Sequence, residues 1–497
     1  MRRLVFVFLI AAFLCGCSSE YAAENDKIIN KELTPTYGGT LKIYSYNSDT
    51  LNPLYTQNKA NAQMLMLVFD TLIKCDENMK PIPVLATGYE VSSDGLLWTV
   101  GIRSGVIWHD GTPLTSADVA ETLNAVMKST HSSPYKNNLA NAVKIEAFEG
   151  FVRIILSKPQ TNFISLLEIP IVKAESVNTY DDFNPIGTGL YAFAQRTKKI
   201  LYLSSNNSRW DEAMPYITSV EVHLMPDKDT AVYAFNAREI DVISTNLQSR
   251  GKFSGSSESK SVSFGSGRFS FLALNLNNKY LSDIRVRTAI AHAINKKRIF
   301  EEVLLSHGVL TDSCINPKWW MYNNSVKSYI FDQTLAITTL NDAGIMTKDI
   351  KFDILVNDDN KIKLQTAEIV SQGLKEIGIN AQIKPVAWDS FLRQISTGTY
   401  DMYIGEINYS NEVDPKYALQ NSELLSDAVN RLQFQIDDEG RKAVYDEIQQ
   451  EYASLLPSLP LYFEDETLLL SGRINGSIKP QRSNAFSGIN EWFIAGD

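Results

Sequence analysis

The sequence predicts an α/β protein organised as more than one lobe, and three observations carry that expectation. Residues 351–405 alternate strand and helix in a β-α-β-α-β run, the pattern of a mostly parallel sheet covered by helices. The chain of 497 residues, 44% hydrophobic and 21% charged, is long enough for two or three domains with sizeable cores. Its N-terminal part has another texture, with short strands broken by Asp-Gly and Asn-Pro turns.

Taken in order, Thr40 to Tyr46 alternates as a half-buried strand and ends at Leu51-Asn52-Pro53. Residues from about Asn58 to Lys74 place Met64, Leu65, Leu67, Val68 and Leu72 on one face, which predicts a helix. Asp94-Gly95 and Asp110-Gly111 suit turns with a left-handed residue, and Trp98, Ile102, Ile107 and Trp108 between them read as scaffold strands. Thr115 and Asp118 form a capping-box pattern ahead of a helix carrying Val119, Leu123 and Val126. Ala142 to Ala147 and Phe151 to Ser157 read as a hairpin around Phe148-Glu149-Gly150. Gly187-Thr188-Gly189 reads as a tight turn near a hinge, because it lacks the further glycine and lysine of a phosphate loop.

Ser254 to Ser263 is serine-rich and predicts a surface loop at a lobe boundary. Beyond it come a strand at Phe269 to Leu276, a long helix from about Asp283 to Leu304 and a helix near Leu335 to Ala343. The alternating run then comprises strands Lys351 to Val356, Asn380 to Val386 and Tyr400 to Gly405, with helices Lys361 to Ile377 and Trp388 to Ser396.

The first residues predict export. Arg2 and Arg3 precede an apolar stretch from Leu4 to Leu14, far short of the ~20 residues of a membrane span, and Leu14-Cys15-Gly16-Cys17 follows. This resembles a bacterial lipobox, which implies cleavage after Gly16, membrane lipid on Cys17 and a tether over residues 17–35. Loss of Arg2 and Arg3 leaves 45 basic against 57 acidic residues, net −12, which argues against nucleic acid or anionic lipid as a partner. Cys75 and Cys314, far apart and without metal spacing, read as separate buried thiols. The five histidines show no zinc-ligand spacing, so no metal or other cofactor is expected.

A series of blocks then carries a resemblance. Phe69-Asp70-Thr71-Leu72, Pro83-Val84-Leu85-Ala86, Ser93-Asp94-Gly95-Leu96-Leu97-Trp98-Thr99 and the run from Ile107-Trp108-His109-Asp110-Gly111 to Val119 come first. Asn184 to Tyr191, Ile240-Asp241-Val242-Ile243, Asp283 to Ile290 with Ala293-Ile294-Asn295-Lys296, and Pro457 to Tyr462 follow. In this order, over essentially the whole mature chain, they resemble the bacterial extracellular solute-binding proteins of the dipeptide and oligopeptide class, family 5 of the ABC importers.

The resemblance implies a two-lobed periplasmic-binding-protein-like fold of class II, with an extra N-terminal subdomain and a two-crossing hinge. Lobe I would comprise residues 36–50, 179–267 and 473–497, its accessory subdomain residues 51–178, and lobe II residues 268–472. The crossings would fall near Ser266 to Ser270 and Leu470 to Asn475. The implied role is to capture a peptide or other small solute by hinge closure and deliver it to membrane permease subunits, as an exported, lipid-anchored monomer.

In dipeptide-type relatives an aspartate in the loop after the strand at Tyr400 meets the peptide's ammonium group. Here Asn408, Tyr409, Ser410, Asn411 and Glu412 occupy that loop, and Asp414-Pro415 sets Asn411 where the aspartate would stand. An asparagine supplies no charge. Glu412, or Asp49 beside Asn47 and Ser48 in the turn after the first strand, could replace it. Lys361 and Lys363 are the basic candidates for a carboxylate end.

An enzyme fits the residues poorly. Ser133-Pro134-Tyr135-Lys136 and Ser45-Tyr46-Asn47 mimic the serine acyl-enzyme motifs, but their order is reversed and no Lys-Thr-Gly follows. Within the family, the cargo could instead be a metal chelate, opine, sugar or peptide signal, since fold does not decide it. The cleft segments named above contain neither histidine nor an arginine cluster, which favours peptide over nickel.

Overall fold

The computed structural model describes residues 34–46, 49–246, 259–409 and 426–495, together with residues 249, 253, 411 and 415. Cys17, Asn47, Ser48, Ser410 and Glu412 lie outside the described residues.

Thr40–Tyr46 buries alternate residues, Leu41, Ile43 and Ser45. It pairs in parallel with Ser219–Met225, and the antiparallel strands Ile200–Ser205 and Tyr191–Arg196 complete a four-stranded sheet. A second, antiparallel four-stranded sheet runs in the order Ala86–Val91, Leu97–Ile102, Phe151–Leu156, Ala142–Phe148, under helix Ser116–Lys128. The predicted hairpin and capping box are both present, with Thr115 N donating to Asp118 at 2.9 Å. Gly95 and Gly111 take φ +71° and +83°, and Trp98 and Trp108 are buried scaffold. The two sheets share one core, in which Leu41 and Val220 join Trp98, Val152 and Trp492.

The helix expected over residues 58–74 stops at Leu65, and Ile73–Cys75 is a strand. Tertiary contacts override the apolar periodicity: the carbonyls of Leu67 and Val68 accept from Tyr191 N and Gly189 N, both at 2.9 Å. Gly187 and Gly189, expected in a tight turn near a hinge, lie against this backbone; a Cβ on Gly187 would lie 1.8 Å from the Val68 carbonyl oxygen. Their smallness admits another backbone.

The second half builds a seven-stranded sheet. Its main order is Val242–Thr245, Ser458–Ser471, Ser259–Leu274, Met402–Asn408, Lys351–Asn357, Asn380–Val386, and Gly308–Leu310 also pairs with 458–471. Only the pairs among 402–408, 351–357 and 380–386 are parallel, so the sheet is mixed rather than mostly parallel. One face packs Leu272, Ile354, Ile404 and Leu459 into a second core, and the other packs Phe271, Tyr403 and Phe463 into a third. The alternation follows from the pleat.

Two expectations change here. Ser259 to Ser263, expected in a loop, begins the 16-residue strand Ser259–Leu274 because Thr467 to Ser471 lie opposite it and supply its pairing. The helix expected over residues 283–304 breaks at Ile294, whose ψ of 116° is extended, and restarts behind the cap Asn295. Cys75 and Cys314 are separate buried free thiols, as the sequence predicts; burial pushes Cys314 up to about 12.

The strands 259–274 and 458–471 form a long antiparallel ribbon whose two ends serve different cores. Phe264, Leu468 and Leu470 belong to the first core, whereas Leu272, Leu459 and Leu461 belong to the second. Leu470 to Asn475 is fastened to the first sheet: Asp241 accepts from Ser471 Oγ, from Arg473 and from Lys42 N at 2.5–2.9 Å. The cores therefore change over between Phe264 and Phe269 on one strand and between Phe463 and Leu468 on the other.

Candidate functional site

At that change-over the ribbon turns from apolar to charged. A register shift separates Gly265 from Arg268, and Arg268 stands opposite Glu464. Gly267 has φ +78°, and a Cβ there would lie 2.8 Å from the Tyr409 carbonyl oxygen, so glycine is required on both counts. The two faces of this segment open into two cavities.

On one face lies a cavity of about 420 Å³. Tyr44 and Tyr46 at the end of the first strand, the start of helix Lys59–Leu65, Ser244 to Asn246, and the ribbon residues Arg268 and Glu466 line it. Its walls thus combine the first core, through Leu468, Ala485 and Phe486, with the ribbon at the change-over. Lys59 Nζ grips Glu466 at 2.5 and 2.6 Å, while Arg268 stands 3.5 Å from both Glu464 and Glu466. Behind them Lys363 Nζ is 3.8 Å from Glu406. Burial pushes the Glu464 carboxyl up, and Arg268 opposes the rise. Burial raises the Tyr44 phenol too, so it faces the cavity as a neutral hydroxyl.

The other face borders a cavity of about 730 Å³, lined by Lys74 to Glu77, Lys318 and Trp319, Asn411, Asp465 and Arg482. Here Asn411 joins parts of the chain far apart in sequence. Its Nδ2 donates to Glu168 and to the Ser165 carbonyl (3.1 Å), and its Oδ1 accepts from Arg482. Arg482 also donates to the Tyr409 carbonyl at 2.6 Å. Glu168 keeps a small opening to solvent yet is enclosed on nearly all sides. Burial raises its carboxyl, and bonds from Ser483 and Asn411 together with the Arg482 charge hold the rise back.

The expected site residues separate. Asn411 lines the larger cavity. Asp49 turns inward, accepting from Thr56 Oγ1 and from the backbone N–H of Gln57 and Asn58 at 3.0 Å, so its carboxylate shapes the loop before the helix. Tyr409 is buried among Phe269, Phe463 and Trp319. Asn408 is exposed at the end of strand Met402–Asn408, opposite Arg268. Lys361 is exposed at the first turn of helix Lys361–Glu376, and among the described residues it lines neither cavity.

Sequence reasoning missed Arg268, Lys59, Glu466, Glu168 and Arg482. A signal existed for one pair: Glu464 and Glu466 interrupt an apolar strand at alternate positions, so both charges leave the same face. Asp70, in one of the blocks behind the resemblance, is scaffold. Its carboxylate accepts from Thr188, Arg209 and Trp210 at 2.9–3.2 Å.

Comparison with known proteins agrees with this architecture. The family model described as bacterial extracellular solute-binding proteins, family 5, matches residues 80–426. The oligopeptide-binding protein AppA of Bacillus subtilis is 24% identical across 100% of this chain and 98% of its own. The nickel-binding periplasmic protein of Escherichia coli is 24% identical over 77% of this chain and 75% of its own. The structure of the periplasmic murein tripeptide binding protein MppA, in an unliganded open form, superposes with a TM-score of 0.81 at 19% identity, covering 94% of this chain and 98% of that one. The fold is thus the two-lobed α/β arrangement that the sequence predicts, and no described helix is long and apolar enough to cross a membrane. The chain belongs to the bacterial extracellular solute-binding proteins of family 5, the solute-capturing, non-enzymatic components of ABC importers.

Proposed function

We propose that this protein captures peptides in the 420 Å³ cavity and presents them to its permease by closing two lobes around them. The observation that carries the reading is that cavity's construction: tyrosine, amide and charged side chains of the first lobe surround it together with Arg268 and Glu466 of the ribbon, where the cores change over. A solute touching both walls binds one relative placement of the lobes better than others and so shifts the population toward it. The volume lies within the range of small-molecule sites.

The lobes are those expected from the sequence, residues 36–50, 179–267 and 473–497 with the accessory 51–178, and residues 268–472, except that residues 468–472 go with the first lobe. The hinge comprises residues 265–268 and 464–467, since Leu468 and Leu470 already pack in the first core. Cys17 carries the lipid that holds the exported protein at the membrane. The comparisons include a nickel binder, yet none of the five histidines lines a cavity described above, which supports peptide. Asn411 has both ends of its amide engaged by Glu168, Ser165 and Arg482, which supports cargo recognition without a charge pair to a free peptide N-terminus at that position.

Native mass spectrometry of the protein as purified from a bacterial host tests the cargo. Bound masses that equal sums of amino-acid residues plus water support peptide. A nickel isotope pattern or a non-peptide mass in their place would refute it.

A further inference from the structure

We infer that the cargo is read from its carboxylate end, and that Arg268 is the group that reads it. The inference rests on the peptide reading above and adds which end of the peptide enters the 420 Å³ cavity. Among the described residues the lining carries three cations, Lys59, Lys228 and Arg268, against one carboxylate, Glu466. That carboxylate is committed, because Lys59 Nζ reaches both its oxygens at 2.5 and 2.6 Å.

Arg268 is differently placed. A guanidinium offers five donors in a planar fork that fits a carboxylate two bonds at a time. Among the described residues its charged partners are Glu464 and Glu466, each at 3.5 Å, well beyond the 2.7–2.9 Å of a charge-assisted hydrogen bond. Each carboxylate faces one terminal nitrogen of the fork, Glu464 at Nη1 and Glu466 at Nη2, without closing to a charge-assisted hydrogen bond, so both nitrogens keep donors for a closer acceptor. A quarter of the side chain is exposed, and it faces the cavity.

The backbone explains why the fork stays there. The register shift between Gly265 and Arg268 and the bond from Arg268 N to Ser266 Oγ (3.1 Å) fix the residue at the change-over itself. Ser266 Oγ in turn donates to the Glu464 carbonyl at 2.6 Å, tying both ribbon strands together. A carboxylate bound at Arg268 therefore contacts the hinge itself. Lys59, on a helix of the first core, approaches from the opposite wall.

A peptide terminus supplies that carboxylate, and so does an acidic side chain. The test separates the sources. Tripeptides with neutral side chains, each as free acid and as C-terminal amide, are dialysed to equilibrium as one pool against the full-length protein, and the retained species are counted by mass spectrometry. Acids should be retained at least about tenfold over their amides, the scale of one charge-assisted pair. In Arg268→Gln the preference should fall toward unity, and in Arg268→Lys part of it should return. Equal retention of acid and amide by the unmodified protein overturns the assignment without any variant, and so does preferential retention only when an Asp or Glu side chain is added to the pool. Retention of neither form overturns the peptide reading itself.

Discussion

In Asn411→Asp the side chain keeps its shape, loses its two amide protons and gains a charge between Glu168 and Arg482. Repulsion from Glu168 and attraction to Arg482 act over similar distances, each about 4 kcal/mol at ~4 Å in an effective dielectric of ~20, and cancel to first order. The losses that remain are the donations from Asn411 Nδ2 to the Glu168 carboxylate and to the Ser165 carbonyl, of which the first, to a charged group, is the larger. A hydrogen bond to a charged group is worth about 1.5–3 kcal/mol; the opening to solvent reduces this to roughly 1–2 kcal/mol. Its pH dependence is the diagnostic feature. Burial already raises the Glu168 carboxyl, and a second carboxylate beside it raises the pair further. One carboxyl of the folded variant then binds a proton at a pH where the unfolded chain has released it. Folded protons exceed unfolded ones, so the variant's stability relative to the parent rises as pH falls. The proton restores the missing donor. Thermal melts at pH 8 and pH 5 should show a deficit of about 1–2 °C at the higher pH that closes at the lower one. An Asn411→Asp protein as stable as the parent at pH 8, or a deficit equal at both values, would refute the Glu168–Asn411–Arg482 account.

Further expectations follow from single positions. Gly187→Ala should cost about 3 kcal/mol or prevent folding, because its Cβ would meet the Val68 carbonyl at 1.8 Å; a melt within about 2 °C of the parent would contradict the close packing. Cys17→Ala should move the protein from the membrane fraction to the soluble fraction, and unchanged retention on fractionation would count against the lipid anchor. Acetylating the N-terminus of a bound peptide should weaken calorimetric affinity by less than about a hundredfold, roughly 2.7 kcal/mol; a larger loss would show that a free amine is required.

Much of the scaffold was legible because local signals and global fold agree there. The 351–405 run, the Thr115 cap and the two Asp-Gly turns each rest on spacing or on a residue's own conformational range. The helix over 58–74 failed where backbone from Gly187 to Tyr191 takes the carbonyls that a longer helix would have used, a partner more than a hundred residues away. The Ser259 to Ser263 segment misled for a related reason. Its small polar side chains suit a loop, yet the opposing strand supplies its pairing and Val262 joins the first core. The candidate site was the least legible part. Lys59, Arg268, Glu466, Glu168 and Arg482 come from five segments; the ribbon brings the first three together, and Asn411 links the other two. Asn411 alone was named in advance, from a position in a loop, while the groups that engage it carry no local mark.

The central claim, that the two lobes close on a peptide, is tested most directly by small-angle X-ray scattering with and without a peptide whose binding calorimetry has established. Rotation about residues 265–268 and 464–467 should reduce the radius of gyration on addition of the peptide, and Arg268→Gln, binding less tightly, should need more peptide for the same change. Superimposable curves at saturating, independently verified occupancy would contradict closure and leave the ribbon a rigid spacer.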